Sequence, residues 1–293
     1  MTVTPPAGAP VSLRQIMDKY DLRPRKGLGQ HFLADPNILR KIVEAAELSP
    51  EAVVLEIGPG LGTLTRWLAA AASRVVAVEL DARMISVLQA ELSDLPNLEL
   101  VQGDILQLDP LVLIRDPTSA DFGSPPAYTV VANLPYYITS AAIRHLLEAE
   151  LPPRRLVLTV QLEVARRIVA EPGDMSLLAV SVQFYGRPRI VTKIPAGAFV
   201  PPPKVDSAVV RIDTYETPPV AVYDVETFFR VVRAGFGQKR KQLKNALAAG
   251  LGSSAADVSA IIARAGIEPQ RRAQTLNLGE WADLAREFGR YRV

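Results

Sequence analysis

The 293-residue sequence contains no cysteine and only two histidines, His31 and His145. The first absence excludes a disulfide framework, a thiolate nucleophile and any cysteine-based zinc site; the second argues against a multi-histidine metal centre, so no metal is expected. No stretch approaches the roughly 18 uninterrupted apolar residues of a membrane span, and the opening MTVTPPAGAP lacks the basic and apolar regions of a signal peptide. A cytoplasmic chain with no membrane partner is the expectation. Charge of one sign is also scarce: the net charge is +2, too small to announce a polyanionic partner by itself. Its distribution is uneven. From Thr214 onward 12 Lys and Arg stand against 8 Asp and Glu, while the rest of the chain has 21 against 23. The positive field therefore gathers at the C-terminal end and in the short run Arg23-Pro24-Arg25-Lys26.

What is present is an alternation of two periods. Residues 1–20 begin Pro/Ala/Gly-rich and read as a flexible tail. Apolar residues at helical spacing from 37 to 48, started by Asp35-Pro36, predict an amphipathic helix. Short buried-strand runs at 53–57, 74–79, 98–102, 128–133 and 155–161 then alternate with helical stretches at 63–72, 82–92, 140–148 and on to Val169. Strands separated by helices in this way predict an α/β fold built on a parallel sheet wound on both faces. The segments 176–184 and 207–212 read as late, antiparallel strands, separated by the extended loop Phe199-Val200-Pro201-Pro202-Pro203-Lys204. Beyond Thr217-Pro218-Pro219 the strand signal ends and only helical patterns remain, at 227–234, 240–249 and 255–265. This divides the chain into a catalytic domain over 21–214 and a small all-helical domain over 215–293.

Glu56-Ile57-Gly58-Pro59-Gly60-Leu61-Gly62 follows a predicted strand and opens a helix, so its glycines allow a tight turn and close approach of backbone to a ligand. An acidic residue before the loop, Pro59 within it and the lack of a Lys-Ser/Thr pair after it favour a methyl donor over a nucleotide phosphate. Glu79, 17 residues beyond Gly62 at the tip of the next strand, suits the two hydroxyls of a ribose. Asp104, at the tip of the third strand, can accept a hydrogen bond from an adenine amino group. A dinucleotide such as NAD or NADP is the competing occupant.

Asn133-Leu134-Pro135-Tyr136-Tyr137 follows the fourth strand and so lies over the same pocket. Methylating an adenine amino group needs no strong base, but the nitrogen lone pair is delocalised into the ring and must be freed. An Asn carbonyl and a neighbouring backbone carbonyl that take the two N–H groups favour the pyramidal nitrogen, and Pro135 helps aim that backbone. The face of Tyr136 can stack on the base. A base reaching such a pocket must leave its stack, so a second aromatic is useful. Phe199, before the proline run, is either that aromatic or a core residue. An ordinary strand-to-helix turn remains the bland reading of the motif taken alone.

Gly29-Gln30-His31-Phe32-Leu33, the stretch 56–65, Val78-Glu79, Gly103-Asp104, 133–137, 199–209 and 236–247, in this order and spacing, resemble the ribosomal RNA adenine dimethyltransferase family, most of all its bacterial small-subunit branch. The resemblance covers about residues 20–285. It implies a Rossmann-like class I S-adenosylmethionine-dependent methyltransferase fold and dimethylation of the N6 amino groups of two adjacent adenines near the 3′ end of 16S rRNA. It also implies an immature small ribosomal subunit as partner, and we expect a monomer. Carried onto this chain, His31, Leu33, Gly58, Glu79, Asp104 and Asn133 line the donor, and Asn133, Leu134, Pro135, Tyr136 and Phe199 face the base. His31 departs from the family's usual Asn. A protonated imidazole there would repel a cationic donor, so acidification below about pH 6 is expected to weaken its binding. Asp174-Met175-Ser176 departs from the family's more frequent aromatic or Arg, without an evident consequence.

Lys239, Arg240, Lys241 and Lys244 are read as the start of a basic helix that grips phosphates, with Arg23, Arg25 and Lys26 as further contacts. Two other functions compete. One is methylation of another planar amine, such as adenine in DNA or glutamine in protein, which also use Asn-Pro-Pro-Tyr-like turns. The other is an assembly or transcription factor that keeps the fold without catalysis.

Overall fold

The computed structural model describes residues 13–25, 29–115 and 126–290; Lys26 lies outside them. The described chain condenses into two units. One holds the described residues up to Ala165 together with Arg189–Thr214, and the other holds Arg166–Pro188 and the described residues from Tyr215 on.

The first unit begins with α1 (Leu13–Lys19), β1 (Phe32–Leu33) and α2 (Pro36–Ala46). It continues through β2 (Val53–Ile57), α3 (Thr63–Ala69), β3 (Arg74–Glu79), α4 (Ala82–Glu91), β4 (Leu98–Gln102) and α5 (Pro110–Ile114). Next come β5 (Tyr128–Asn133), α6 (Thr139–Leu147) and β6 (Arg155–Gln161). After α7 (Leu162–Ile168) and α8 (Leu177–Tyr185), the strands β7 (Gly186–Ile194), β8 (Phe199–Val200) and β9 (Ser207–Thr214) complete it. Seven strands form one sheet in the order β4-β3-β2-β5-β6-β9-β7, and β1 pairs with β8 in a separate antiparallel ribbon. β4, β3, β2, β5 and β6 run parallel; β9 joins β6 antiparallel, with Val157 opposite Arg211.

The reasons are local. Parallel strands covered on both faces need continuous apolar runs, and Val75, Val76, Ala77 and Val78 are all buried. Three helices start on the same device: Asp35, Asp81 and Asp109 each accept the N–H two residues on, capping α2, α4 and α5. The far end of α2 is tied down by two buried strand arginines, because Arg155 donates to the Ala46 carbonyl at 2.7 Å and Arg211 to that of Ala45 at 3.1 Å. The strand order reverses between β2 and β5, so the C-terminal ends of these neighbours carry the Gly58 loop and Asn133 to one crevice, where open α/β sheets bind ligands.

Three expectations change, the first being that Arg166–Pro188, inside the catalytic domain expected over 21–214, belongs to the second unit. The segment 13–19, assigned to the tail, is helical: Leu13 and Ile16 are buried against Phe32, Leu61, Met84 and Val87, and Lys19 and Tyr20 both donate to Glu91 at 2.7 Å. The segment 176–184, predicted as a strand, is α8, capped by Ser176 on the N–H of Ala179. The run is mostly apolar, with Ala179, Val180, Val182 and Phe184 buried and only Ser181 and Gln183 polar, and such a run carries no clear period that separates strand from helix.

α8 belongs to the second unit, with α9 (Val225–Phe236), α10 (Leu243–Leu251), α11 (Ala255–Arg264) and α12 (Leu278–Arg290). Their shared core holds Phe184, Phe228, Phe229, Trp281 and Phe288. A Cβ on Gly235 of α9 would lie 2.4 Å from the Trp281 ring, so the approach of these two helices depends on a missing side chain. No single described helix is long and apolar enough to cross a membrane. Gly235→Ala is expected to lower stability by about 1–3 kcal/mol despite the better helix propensity of Ala, the overpacking cost exceeding it. Urea unfolding measures this, and an unchanged or raised midpoint contradicts the packing described.

Candidate functional site

The crevice at the switch point is lined by residues of the first unit that are distant in sequence: Gln30 to Leu33, the Gly58–Gly60 loop, Glu79 with Leu80, and Asn133 to Tyr137. Gly58 and Gly60 have φ of +70° and +59°, in the left-handed region where side chains are strained. At Gly60 a Cβ would also meet the Phe32 ring at 2.9 Å, so the loop must be bare for the β1 segment to close over it.

Glu79 is buried at the tip of β3. Its Oε2 accepts from the Gly60 N–H at 3.2 Å and its Oε1 from the Asp81 N–H at 2.9 Å. Burial pushes its carboxyl above the usual range, and these backbone donors pull it back. Each carboxylate oxygen can accept more than one bond, so acceptor capacity remains for a ligand.

Glu56 sits deeper, on β2, fully buried, and its Oε2 has no hydrogen-bond partner among the described residues. Burial above all, opposed by the neighbouring Thr65 hydroxyl and reinforced by the charge of Glu79, pushes its carboxyl up to about 8. Near pH 7, with no cation beside it, the carboxyl is mostly protonated, and its unpartnered oxygen stands in the wall of the crevice.

Asn133 ends β5. Its Nδ2 donates to the backbone carbonyl of His31 at 3.0 Å. That bond fixes the amide orientation, because a carbonyl can only accept, and it leaves Oδ1 as the atom the side chain can offer to something else. His31 itself is held: a carbonyl again dictates that Nδ1–H donates, here to Pro201 O at 2.8 Å, leaving Nε2 as an acceptor when the ring is neutral. The one N–H of the neutral ring is thus spent on backbone. The Tyr136 ring lies stacked on the His31 ring at 6.1 Å, and its hydroxyl bonds to Ser207 Oγ at 3.0 Å. Burial pushes the Tyr136 phenol up, which keeps it neutral at physiological pH.

His31, Leu33, Gly58, Glu79, Asn133, Leu134, Pro135 and Tyr136 therefore meet in one place. Asp104 does not line the crevice. It follows β4, two strands from β2, and its Oδ1 caps the Leu106 N–H at 3.0 Å. Phe199 is not brought to the crevice either: it is 2% exposed, pairs with Leu33 across the β1–β8 ribbon, and packs in the core that includes Ile38, Leu39 and Trp67. The core alternative is the one the structure adopts, since the short ribbon points this ring inward. From sequence, Ser207, Gln30 and Leu80 have no role, and Glu56 is read only as the acidic residue before the loop. Glu56 is the one polar residue of β2, a signal that could have marked it, whereas Ser207 opens a strand that also holds Arg211 and Asp213 and carries no such signal.

Arg23 and Arg25 are exposed, and Arg25 stands 3.8 Å from Asp81. Lys239, Arg240 and Lys241 are exposed in the turn after α9, and α10 begins only at Leu243 behind the cap position Gln242. The expected basic helix is thus a basic turn, and Lys241 and Lys244 do not share a helical face. Leu243 and Lys244 instead direct their N–H groups to the carbonyls of Arg271 and Pro269, which sets the start of the helix.

The profile of the ribosomal RNA adenine dimethylase family matches residues 22–289. The chain belongs to this family. Two relatives named ribosomal RNA small subunit methyltransferase A are similar to this dimethylase-family chain. The one from Dehalococcoides mccartyi strain CBDB1 is 47% identical, covering 94% of this chain and 92% of the relative. The one from Moorella thermoacetica is 46% identical, covering 90% and 92%. Among solved structures, the 23S rRNA methyltransferase ErmE superposes with a TM-score of 0.68 at 30% identity, covering 88% of this chain and 99% of that one. A dimethyladenosine transferase from Plasmodium falciparum gives 0.73 at 26% identity, covering 90% and 99%. The parallel sheet and its crevice are thus those of an rRNA adenine methyltransferase.

The Glu56 environment has a measurable consequence. An unfolded chain releases this proton near pH 4.5 and the folded chain only near 8, so wild-type stability is eroded as pH rises between these values. Glu56→Gln is expected to gain on wild type across that window, reaching on the order of 4–5 kcal/mol by pH 8.5 and almost none at pH 4. Carboxylates that do not interact with Glu56 cancel in this difference, and a gain independent of pH contradicts the assignment.

Proposed function

We propose that the chain transfers methyl groups from S-adenosylmethionine to the N6 amino groups of two adjacent adenines near the 3′ end of 16S rRNA, within an immature small ribosomal subunit. The observation that carries this reading is the fixed amide of Asn133, whose Nδ2 is engaged by the His31 carbonyl and whose Oδ1 is the acceptor on offer. The donor, when bound, supplies an electrophilic methyl on a cationic sulfur.

The residues present fit it. Glu79 has acceptor capacity left for ribose hydroxyls. The orphaned Oε2 of Glu56 suits an ammonium, and the bare Gly58 and Gly60 backbone leaves room for a ligand. At the other end, the Pro135 carbonyl is taken by the Ile138 N–H and the Thr139 hydroxyl, which assigns the second acceptor role to the carbonyl of Leu134. Two oxygens on the two N–H groups withdraw the nitrogen lone pair from ring conjugation. They hold it more strongly as positive charge develops, so stabilisation is greatest where the reaction needs it. No general base is required at this step. Tyr136, anchored through Ser207, presents a rigid face on which the base stacks. The exposed turn of Lys239, Arg240 and Lys241 supplies phosphate contacts, with Lys244 behind it and Arg23, Arg25 and Lys26 as further contacts.

Asn133→Ala is expected to cut transfer of labelled methyl to unmodified small subunits by about a hundredfold or more, with donor affinity changed far less. Retention of full turnover contradicts the role given to Oδ1. Replacing Lys239, Arg240 and Lys241 together by Ala is expected to flatten the dependence of log affinity for the RNA on log salt by about 2–3, roughly one for each phosphate that is no longer neutralised. An unchanged slope removes this turn from the interface.

A further inference from the structure

One aromatic residue at the crevice has no task in methyl transfer as proposed. Tyr137 lines the crevice beside Tyr136, yet the two rings are held in different ways. Tyr136 is half-buried and its hydroxyl is locked to Ser207. Tyr137 is 60% exposed and, among the described residues, its hydroxyl has no hydrogen bond. Other tyrosines of the first unit are tied: Tyr20 donates to Glu91 and Tyr128 to the Leu151 carbonyl. A large aromatic left open to water beside a reactive crevice is a surface shaped for a partner that binds there.

Its place in the wall indicates what it meets. Glu79 and Leu80 form the wall on the β3 side, where a ribose is held, whereas Tyr137 continues the same turn that carries Asn133, Leu134 and Tyr136. It therefore faces the nucleic acid. Extracting a base from its stack uncovers the face of the nucleotide next to it, at a cost of a few kcal/mol. Phe199 is buried in the core and cannot recover that loss. An exposed ring with only two side-chain torsions to immobilise can.

We infer that Tyr137 is a second stacking platform, which covers the nucleotide adjacent to the flipped adenine while Tyr136 covers the adenine itself. The inference rests on the proposed RNA substrate. Stacking on any base is sequence-tolerant, so Tyr137 contributes to holding the RNA open and not to choosing adenine.

The test uses the full chain with Tyr137→Ala, Tyr137→Phe and Tyr137→Trp. KM and kcat for labelled-methyl transfer are measured on unmodified small subunits. Binding is followed by fluorescence on a small-subunit RNA hairpin in which each neighbour of the target adenine is replaced in turn by 2-aminopurine. Tyr137→Ala is expected to raise KM for RNA about ten- to hundredfold, with kcat at saturating RNA and donor affinity within about threefold of wild type. Quenching of 2-aminopurine at one of the two neighbours disappears in this variant, and Phe and Trp restore both KM and quenching. A merely structural tyrosine would shift thermal stability and would not yield this KM-specific, ring-rescued pattern. A Tyr137→Ala protein with wild-type KM overturns the inference even if the enzyme is active. Tyr137-dependent quenching in a wild-type chain that transfers no methyl upholds the stacking and overturns only the activity.

Discussion

The crevice depends on one hydrogen bond, from Asn133 Nδ2 to the backbone carbonyl of His31 at 3.0 Å. An amide side chain has one donating and one accepting end, and nothing intrinsic decides which faces a ligand. Spending the donor on a carbonyl decides it. The remaining Oδ1 can only accept, and it is matched to a planar amine that must give up its N–H groups to free a lone pair. Everything else at the crevice supports the two ends of that bond.

The support is layered. The β1–β8 ribbon carries the chain of His31 past the crevice, and the Pro201 carbonyl holds the His31 ring while the backbone carbonyl meets Asn133. Gly60 has no side chain, which lets Phe32 of the same segment close over the loop. Phe32 in turn packs with α1, so a helix at the start of the described chain helps set the position of a residue more than a hundred positions away. Glu79 links the loop to β3 through the Gly60 N–H. These neutral and weakly polar contacts surround two buried carboxyls with raised affinity for protons. Such a site is costly to keep without a cationic ligand, which is where strain at functional sites is expected to appear.

Much of this could be read from the residues. Parallel strands without a polar face, the Asp-started helices and the position of the Gly58 loop and Asn133 motif at strand ends are all local patterns, and local patterns survive folding. What could not be read depends on contacts across long sequence distances. The buried run of α8 looks the same as a strand until its packing in the second unit is known. Phe199 sits in a motif that suggests exposure, but a two-residue ribbon turns its ring inward. The basic run 239–241 has helical composition, yet the carbonyls of Pro269 and Arg271 take the first N–H groups of α10 and delay its start. The tasks of Glu56 and Ser207 likewise depend on what surrounds them, and their spacing from other residues carries no sign of it.

The most direct measurement is a crystal structure of the chain with S-adenosylhomocysteine and an RNA fragment bearing the target adenine. The adenine N6 is expected within about 3 Å of both Asn133 Oδ1 and the Leu134 carbonyl, with Nδ2 still donating to His31. A bound adenine whose N6 lies against Nδ2, or beyond reach of both oxygens, would contradict the role given to Asn133.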